Sequence, residues 1–197
     1  MIRCIIVDDE PLAVAQLEKY VERVPFLVNV GSCTSAAEAM EILAAGNVDA
    51  MFVPLEKEIS FLNNYIELMR LRYTDKLELN TDFTTEPQGV FVPSLLFTQF
   101  VENAFKHGVT YTKKSTISMS LTVDEEAGNV LFACRNTVPD AVKVSSLPSE
   151  GGIGIENTRK RLELLYDGKA ELSISNADGW YNVELKIPIQ YDKVYNS

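Results

Sequence analysis

The chain has 197 residues, of which 46% are hydrophobic, so it is long enough for one large or two small domains with real cores. A net charge of −10 excludes a general role on nucleic acids or anionic membranes, because both favour basic patches. No apolar run approaches the length of a membrane span, and the N-terminus lacks the basic-then-apolar order of a signal peptide.

Residues 1 to about 53 alternate between strand-like and helix-like patterns. Short apolar runs, typical of strands buried on both faces, occupy Ile2–Val7, Leu27–Val30 and Ala50–Val53. Helical apolar spacing separates them over 12–24 and 36–45. Such alternation predicts an α/β arrangement of parallel strands joined by right-handed crossovers.

The three cysteines, Cys4, Cys33 and Cys134, are odd in number, widely spaced and set in or beside apolar strand-like runs. This pattern is typical of reduced, mostly buried thiols. We therefore expect a cytoplasmic protein with no cysteine metal site.

Asp8 and Asp9 follow the first strand directly. The carboxyl end of a parallel strand is where α/β proteins bind ligands, and carboxylate oxygens suit Mg²⁺. The run from Cys4 to Pro11 resembles the start of a response-regulator receiver domain of the LytTR type. That resemblance implies that Asp8 and Asp9 help to hold Mg²⁺.

The receiver resemblance ends at the third strand. In that family the strand ends in the Asp that accepts the phosphoryl group, whereas Pro54 stands at this place and has no side-chain oxygen. We therefore expect residues 1–53 to be a truncated, flavodoxin-like receiver segment of three parallel strands, with weak Mg²⁺ binding at most. The alternative is that Asp8 and Asp9 are only polar residues at a strand end.

From Pro54 onward the pattern changes to longer helices and turn-rich strands. It predicts helices over 55–73 and 155–166, strands over 77–83, 116–123 and 130–136, a loop over 137–152, and a final hairpin turning near Asp178-Gly179. Phe91-Val92-Pro93 is expected to lead into one further helix, with Pro93 near its first turn. The order predicts a second domain over 54–197, an α/β sandwich with one mixed sheet under three helices.

Two short motifs in this second part point to a nucleotide. Asn103 and Lys106 share one face of a predicted helix. Gly151, Gly152 and Gly154 open a later helix, where bare N–H groups and the helix dipole favour phosphate. Together they predict a Mg²⁺–triphosphate held between two helices.

The runs Val101–Gly108 and Gly151–Gly154 resemble the N box and the second glycine box of the GHKL (Bergerat) ATP-binding fold, in the version found in LytS-type sensor histidine kinases. The resemblance covers 54 to about 190 and implies ATP and Mg²⁺ as ligands. By this resemblance Asn103 offers its amide oxygen to Mg²⁺, Lys106 neutralises phosphate charge, His107 flanks the nucleotide, and the glycines let the backbone close over the phosphates.

The chain departs from the family pattern at two places. Gln99 lies one helical turn before Asn103, where hydrolysing GHKL proteins place a Glu as general base. Glutamine cannot take a proton, which fits kinase-type nucleotide use. Asn136 stands where the family has an adenine-binding Asp, and no glycine follows it. Asn still offers an acceptor oxygen, so we expect weaker adenine recognition.

His107 is the one histidine of the 197 residues. A LytS-type kinase phosphorylates a histidine upstream of its ATP domain, so we expect a two-component signalling module that binds ATP–Mg²⁺ without phosphorylating itself and has no catalytic residue of its own. One alternative is a non-catalytic protein that titrates a kinase or response regulator. Another is a kinase that acts in trans on a histidine of another chain.

The junction Val53–Pro54 has no linker and looks like an in-frame fusion of neighbouring regulator and kinase genes. Half of a doubly wound domain would leave the third strand without its outer neighbour. We therefore expect residues 1–53 to pack on the ATP domain or on a second copy, giving a homodimer.

Overall fold

The structure, a computed structural model, describes residues 1–23, 27–73, 76–83, 89–110, 114–138 and 153–189. Its contacts divide the chain into two compact units. The first contains Met1–Glu58 and Glu86–Leu95, and the second contains Ile59–Thr85 and Leu96–Ile189. This division falls after Glu58, inside a helix, and the expected domain boundary between Val53 and Pro54 stays a prediction.

The first unit is built on a four-stranded sheet in the order β2-β1-β3-β5. Its elements in chain order are β1 (Ile2–Val7), α1 (Pro11–Arg23), β2 (Leu27–Cys33), α2 (Ala36–Ala44), β3 (Ala50–Pro54) and the start of α3 (Leu55–Arg72). Strands β1, β2 and β3 are parallel, as predicted from the alternating pattern.

The fourth strand, β5 (Phe91–Pro93), corrects two predictions. It pairs antiparallel with the outer edge of β3, so the fragment is not three-stranded and β3 does not lack a neighbour. Ser94 N–H donates to Met51 O at 2.8 Å and Leu55 N–H donates to Val90 O at 2.8 Å, which fastens both ends of the pairing. Because β5 is an edge strand, Pro93 is tolerated in it although it cannot donate a hydrogen bond.

The core of the first unit lies between the sheet and α2. Ile5, Cys33 and Ala39 are buried there, and four partly buried side chains pack around them: Val7, Ile42, Val48 and Met51. Ser35 caps α2 by accepting from Glu38 N–H at 3.3 Å. Glu38 Oε2 accepts in turn from Thr34 N–H at 3.1 Å, which satisfies a second donor near the start of the helix.

The second unit has a five-stranded sheet in the order β4-β6-β7-β9-β8. Its further elements are β4 (Leu77–Phe83), α4 (Thr98–Gly108), β6 (Ser115–Asp124), β7 (Asn129–Thr137), α5 (Ile153–Tyr166), β8 (Glu171–Ala177) and β9 (Trp180–Pro188). β4 runs parallel to β6 and the other pairs are antiparallel, so the sheet is mixed as predicted. The last hairpin turns at Asp178 and Gly179, which both have positive φ, as a two-residue turn of the I′ kind requires.

Alternate residues of the central strands form the core of this unit beneath α4. The buried set is Ile117, Met119 and Leu121 of β6, Val130, Phe132 and Cys134 of β7, and Val183, Leu185 and Ile187 of β9. Phe97 and Phe100 lie against Phe132, with ring centroids 5.0 and 5.9 Å away. Helix α4 begins at Thr98 rather than directly after Pro93, because a turn over 94–97 with Leu95 at positive φ intervenes.

All three cysteines are free and buried, which confirms the prediction of buried thiols. Burial raises the pKa of the Cys4 thiol to about 11 and that of Cys134 to about 12. Both thiols are therefore protonated and unreactive near neutral pH. Within the described ranges, no helix combines the length and the apolar character needed to cross a membrane.

Candidate functional site

Helix α4 carries the amide and the ammonium that the sequence singles out. Asn103 is half-buried, and its side chain has no hydrogen-bond partner among the described residues. Lys106, one turn further on, is exposed and forms no ion pair with any residue in the described ranges. One face of this helix therefore presents an oxygen donor and a positive charge that are both available to a ligand.

His107 follows Lys106 at the exposed end of α4. Partial burial, and then the neighbouring Lys106 charge, lower the pKa of His107 below its usual value. The imidazole is therefore neutral at pH 7. A neutral ring at this place can donate or accept one hydrogen bond without adding charge to the site.

The first turn of α5 lies against the first turn of α4. Gly154 is in that turn, and a Cβ built on it would overlap Gln99 Nε2. The missing Cβ of Gly154 thus gives room to the end of the Gln99 side chain, a reason for the glycine that sequence reasoning did not supply. Gly151 and Gly152, the other glycines of the predicted phosphate loop, lie outside the described residues.

Thr158 is a second residue that the sequence analysis missed. It is buried, and its Oγ1 lies 2.6 Å from Gln99 Oε1 and 3.1 Å from Gly154 O. The sequence did contain an indication of this contact: Thr158 lies one turn after Gly154, so the two residues share one side of α5. Gln99 is thus not a free amide but a bridge between the two helices.

Asn136, on β7, lies at the other end of α4. It is 4% exposed, and its Nδ2 donates to Thr137 O at 3.0 Å. That bond occupies the amide nitrogen and leaves Oδ1 as an acceptor, the atom that an adenine amino group needs. A Cβ built on Gly108 would come 2.7 Å from Asn136 Cγ, so Gly108 is needed for α4 to end against this side chain.

Both ends of α4 therefore meet predicted site residues. Gln99 contacts Gly154 at the start of the helix, and Gly108 contacts Asn136 at its end, with Asn103 between them. The donor set fits a Mg²⁺-bound nucleotide: an unpartnered amide oxygen, an unpaired ammonium, and the N-terminus of a 14-residue helix. Long-range contacts thus place Gly154 at the start and Asn136 at the end of the helix that carries Asn103, Lys106 and His107.

Asp8 and Asp9 lie in the first unit, and both carboxylates already have partners. Asp8 Oδ1 accepts from Glu10 N–H at 2.8 Å, and Asp9 Oδ1 lies 2.9 Å from Lys57 Nζ. The hydrogen bond from Lys57 lowers the pKa of Asp9. In the part of the chain that the structure describes, no three metal-ligating side chains of the His, Cys, Asp or Glu type gather together. The two carboxylates have no described third ligand, so the weak Mg²⁺ site at Asp8 and Asp9 stays a prediction, and Pro54 ends β3.

Comparison with known proteins gives similar proteins of one class, although no family profile matches the chain. The chain is 28% identical over 144 residues to sensor protein LytS of Staphylococcus saprophyticus, covering 69% of this chain and 24% of that protein. It is 31% identical over 121 residues to sensor histidine kinase YpdA of Escherichia coli K12, covering 58% of this chain and 21% of that protein.

Among solved structures, the histidine kinase domain of the blue-light activated kinase of Erythrobacter litoralis superposes with a TM-score of 0.50 at 19% identity, covering 70% of this chain and 62% of that one. This likeness concerns the fold alone. The chain spans about a quarter or less of the length of the curated relatives quoted above. Together the matches support a histidine-kinase-like catalytic domain of the GHKL type, while the receiver-like interpretation of residues 1–53 stays a prediction.

Proposed function

We propose that the second unit binds ATP together with Mg²⁺, as the nucleotide-binding module of a two-component system, and that these 197 residues do not phosphorylate themselves. The observation that carries the proposal is the pair of unpartnered groups on α4, Asn103 and Lys106, on the helix whose first turn packs against Gly154 of α5. Polar groups with no partner in the described structure are the ones available to a ligand.

Each group of the site has one task in this proposal. Asn103 Oδ1 coordinates Mg²⁺, and Lys106 neutralises charge on the phosphates. The first-turn N–H groups of α5, with the glycines that precede it (Gly151, Gly152 and Gly154), receive the phosphate oxygens. Asn136 Oδ1 accepts from the adenine amino group, and His107 flanks the nucleotide. When bound, Mg²⁺ supplies charge neutralisation on the phosphates.

Two features argue against hydrolysis and self-phosphorylation. Gln99 occupies the place of a general base, but an amide takes no proton, and its oxygen lies 2.6 Å from Thr158 Oγ1. His107 is the one histidine of these residues, and it lies within the site itself rather than on a separate acceptor segment. The residues at hand therefore bind and orient a nucleotide and hold no phosphoryl acceptor.

Calorimetric titration with ATP, in MgCl₂ and then in excess chelator, tests binding directly. We expect saturable binding that requires Mg²⁺. Incubation with γ-labelled ATP should leave the chain unlabelled. Absence of binding heat in MgCl₂ would show that the partner-titrating alternative is the better one. Label transferred to a histidine-bearing partner protein would favour the trans-acting kinase, and label on the chain itself would contradict the self-phosphorylation claim.

A homodimer, or a complex with a cognate kinase or response regulator, remains part of the proposal. Because β5 fills the edge of β3, the exposed edge that motivated a homodimer is smaller than expected. Light scattering over a range of protein concentrations measures the oligomeric state. A monomer at every concentration would remove the homodimer and leave the nucleotide site unaffected.

A further inference from the structure

We propose that Gln99 is a positioning residue: its amide, bonded to Thr158, holds the first turn of α5 against α4 and thereby sets the affinity for the nucleotide phosphates. The inference rests on the proposed ATP binding. It assigns a role to the side chain that replaces the family's general base. Glutamine at this place therefore cannot act as a base, but it has a structural role of its own.

The contact is a closed triangle of polar groups. Thr158 Oγ1 lies 2.6 Å from the Gln99 amide oxygen and 3.1 Å from Gly154 O. One hydroxyl has one proton, so it cannot donate fully to two acceptors. A separation of 2.6 Å is typical of O–H···O and short for N–H···O, so the Thr158 hydroxyl donates chiefly to Gln99 Oε1. Gly154 O is the longer, second contact of the same hydroxyl.

The packing of Gln99 on Gly154 favours a close spacing of the helices. The missing Cβ of Gly154 leaves the volume that Gln99 Nε2 occupies, so any side chain there would displace the amide. Thr158 is buried, which protects its hydroxyl from competing water. A longer or shorter separation of α4 and α5 would therefore break the hydrogen bond or create an overlap.

This spacing matters because the ligand-binding groups lie on both helices. Asn103 and Lys106 belong to α4, whereas the first-turn N–H groups, which have no acceptor within the helix, belong to α5. A Mg²⁺–nucleotide that contacts both sets is bound most tightly when their separation is already correct. Gln99 and Thr158 thus lower the cost of ordering the site before the ligand arrives.

Calorimetric titration of three variants in α5, two at Thr158 and one at Leu162, tests the inference. Thr158→Val removes the hydroxyl at nearly constant shape, Thr158→Ser keeps it, and Leu162→Ala empties a buried position one turn later without touching the triangle. We expect about tenfold weaker ATP–Mg²⁺ binding by Thr158→Val, and affinity within about twofold of the parent for the other two. Titrations are run well below the melting temperature of every variant.

A second variant approaches the bond from α4. Gln99→Met keeps the length of the side chain and suits a helix, but it has no amide to bond with Thr158. It should lower ATP–Mg²⁺ affinity as Thr158→Val does. Hydrogen exchange without nucleotide should be faster at the first-turn amides of α5 in both variants and unchanged in Leu162→Ala.

The outcomes separate the inference from the function on which it rests. A parent chain that binds no ATP–Mg²⁺ overturns both. If the parent binds ATP–Mg²⁺ and the variants Thr158→Val and Gln99→Met bind it with the same affinity, only the positioning role is overturned. A loss of affinity in Leu162→Ala as large as in Thr158→Val would show general destabilisation instead, and unchanged exchange in the α5 first turn would also contradict the proposal.

Discussion

Two sets of polar side chains, one in each unit, differ in whether they have partners. In the first unit, Arg3 forms paired hydrogen bonds with Asp49, and Asp9 pairs with Lys57. In the second unit, Asn103 and Lys106 have no partner within the described ranges. Polar side chains that bond one another stabilise the fold or, at the surface, contribute little to stability. Polar side chains without a partner are available to a ligand.

This difference shows that a sequence motif is a weaker guide to a binding site than the hydrogen-bond partners that each side chain has in the fold. Asp8 and Asp9 form the more conspicuous motif, with two carboxylates at a strand end. Asp9 is nevertheless paired with Lys57, and one oxygen of Asp8 accepts from Glu10 N–H. Asn103 was chosen from its motif, and the absence of a described partner supports that choice.

The largest expected effect is the loss of nucleotide binding in Asn103→Ala. The substitution removes the proposed oxygen ligand of Mg²⁺ and leaves a strong helix former, so the fold should survive. We expect at least about 100-fold weaker ATP–Mg²⁺ binding by calorimetry. Asn64→Ala, on an exposed face of α3, is the matched control and should bind as the parent does. Equal affinity in Asn103→Ala and the parent would show that the unpartnered amide is not a ligand.

The next effect concerns the end of α4. Gly108→Ala introduces a Cβ that must displace Asn136, whose Cγ would lie 2.7 Å away. We expect a loss of about 1–3 kcal/mol in the free energy of unfolding, measured by urea denaturation. Because Asn136 moves, the preference for ATP over GTP should also fall in competition titrations. Unchanged stability together with unchanged base preference would contradict the packing of Gly108 on Asn136.

A smaller effect concerns Mg²⁺ binding at Asp9 in the first unit. Since Lys57 neutralises Asp9 and no described third ligand is near, Mg²⁺ should bind in a nucleotide-dependent way only. Asp9→Asn should therefore leave the ATP–Mg²⁺ affinity within about twofold of the parent. Mn²⁺ titration followed by electron paramagnetic resonance, without nucleotide, is the direct measurement. Saturable Mn²⁺ binding that disappears in Asp9→Asn would restore the receiver-like metal site and break the comparison.

The smallest effect is the acid sensitivity of the Arg3–Asp49 pair. The hydrogen bond from Arg3 lowers the pKa of Asp49 to about 2, below the unfolded value of about 3.9. A carboxyl with a lowered folded pKa stabilises the protein above its unfolded pKa, and this contribution is lost as the pH falls through the folded value. The difference in melting temperature between the parent and Asp49→Asn should therefore be small at pH 7 and vanish between about pH 4 and pH 2. A difference that grows on acidification would contradict the pairing.

Local patterns allowed much of the fold to be predicted. The strand at 77–83 was predicted with its observed bounds, and the turn at Asp178-Gly179 was confirmed because its two positive φ angles favour these residue types. Strand β5 was missed because three residues ending in Pro have too short a pattern to distinguish a strand from the approach to a helix. Its pairing with β3 depends on residues far away in the chain.

The sequence by itself determined the order of the elements other than β5, the mixed character of the second sheet and the residue types of the proposed nucleotide site, because apolar periodicity and turn chemistry act between neighbours in the chain. Only the tertiary structure decided which of those polar residues have partners. Thr158 reaches Gln99 across 59 positions and Lys57 reaches Asp9 across 48. A hydrogen bond over such a separation depends on how helices and strands pack, and no local pattern carries that information.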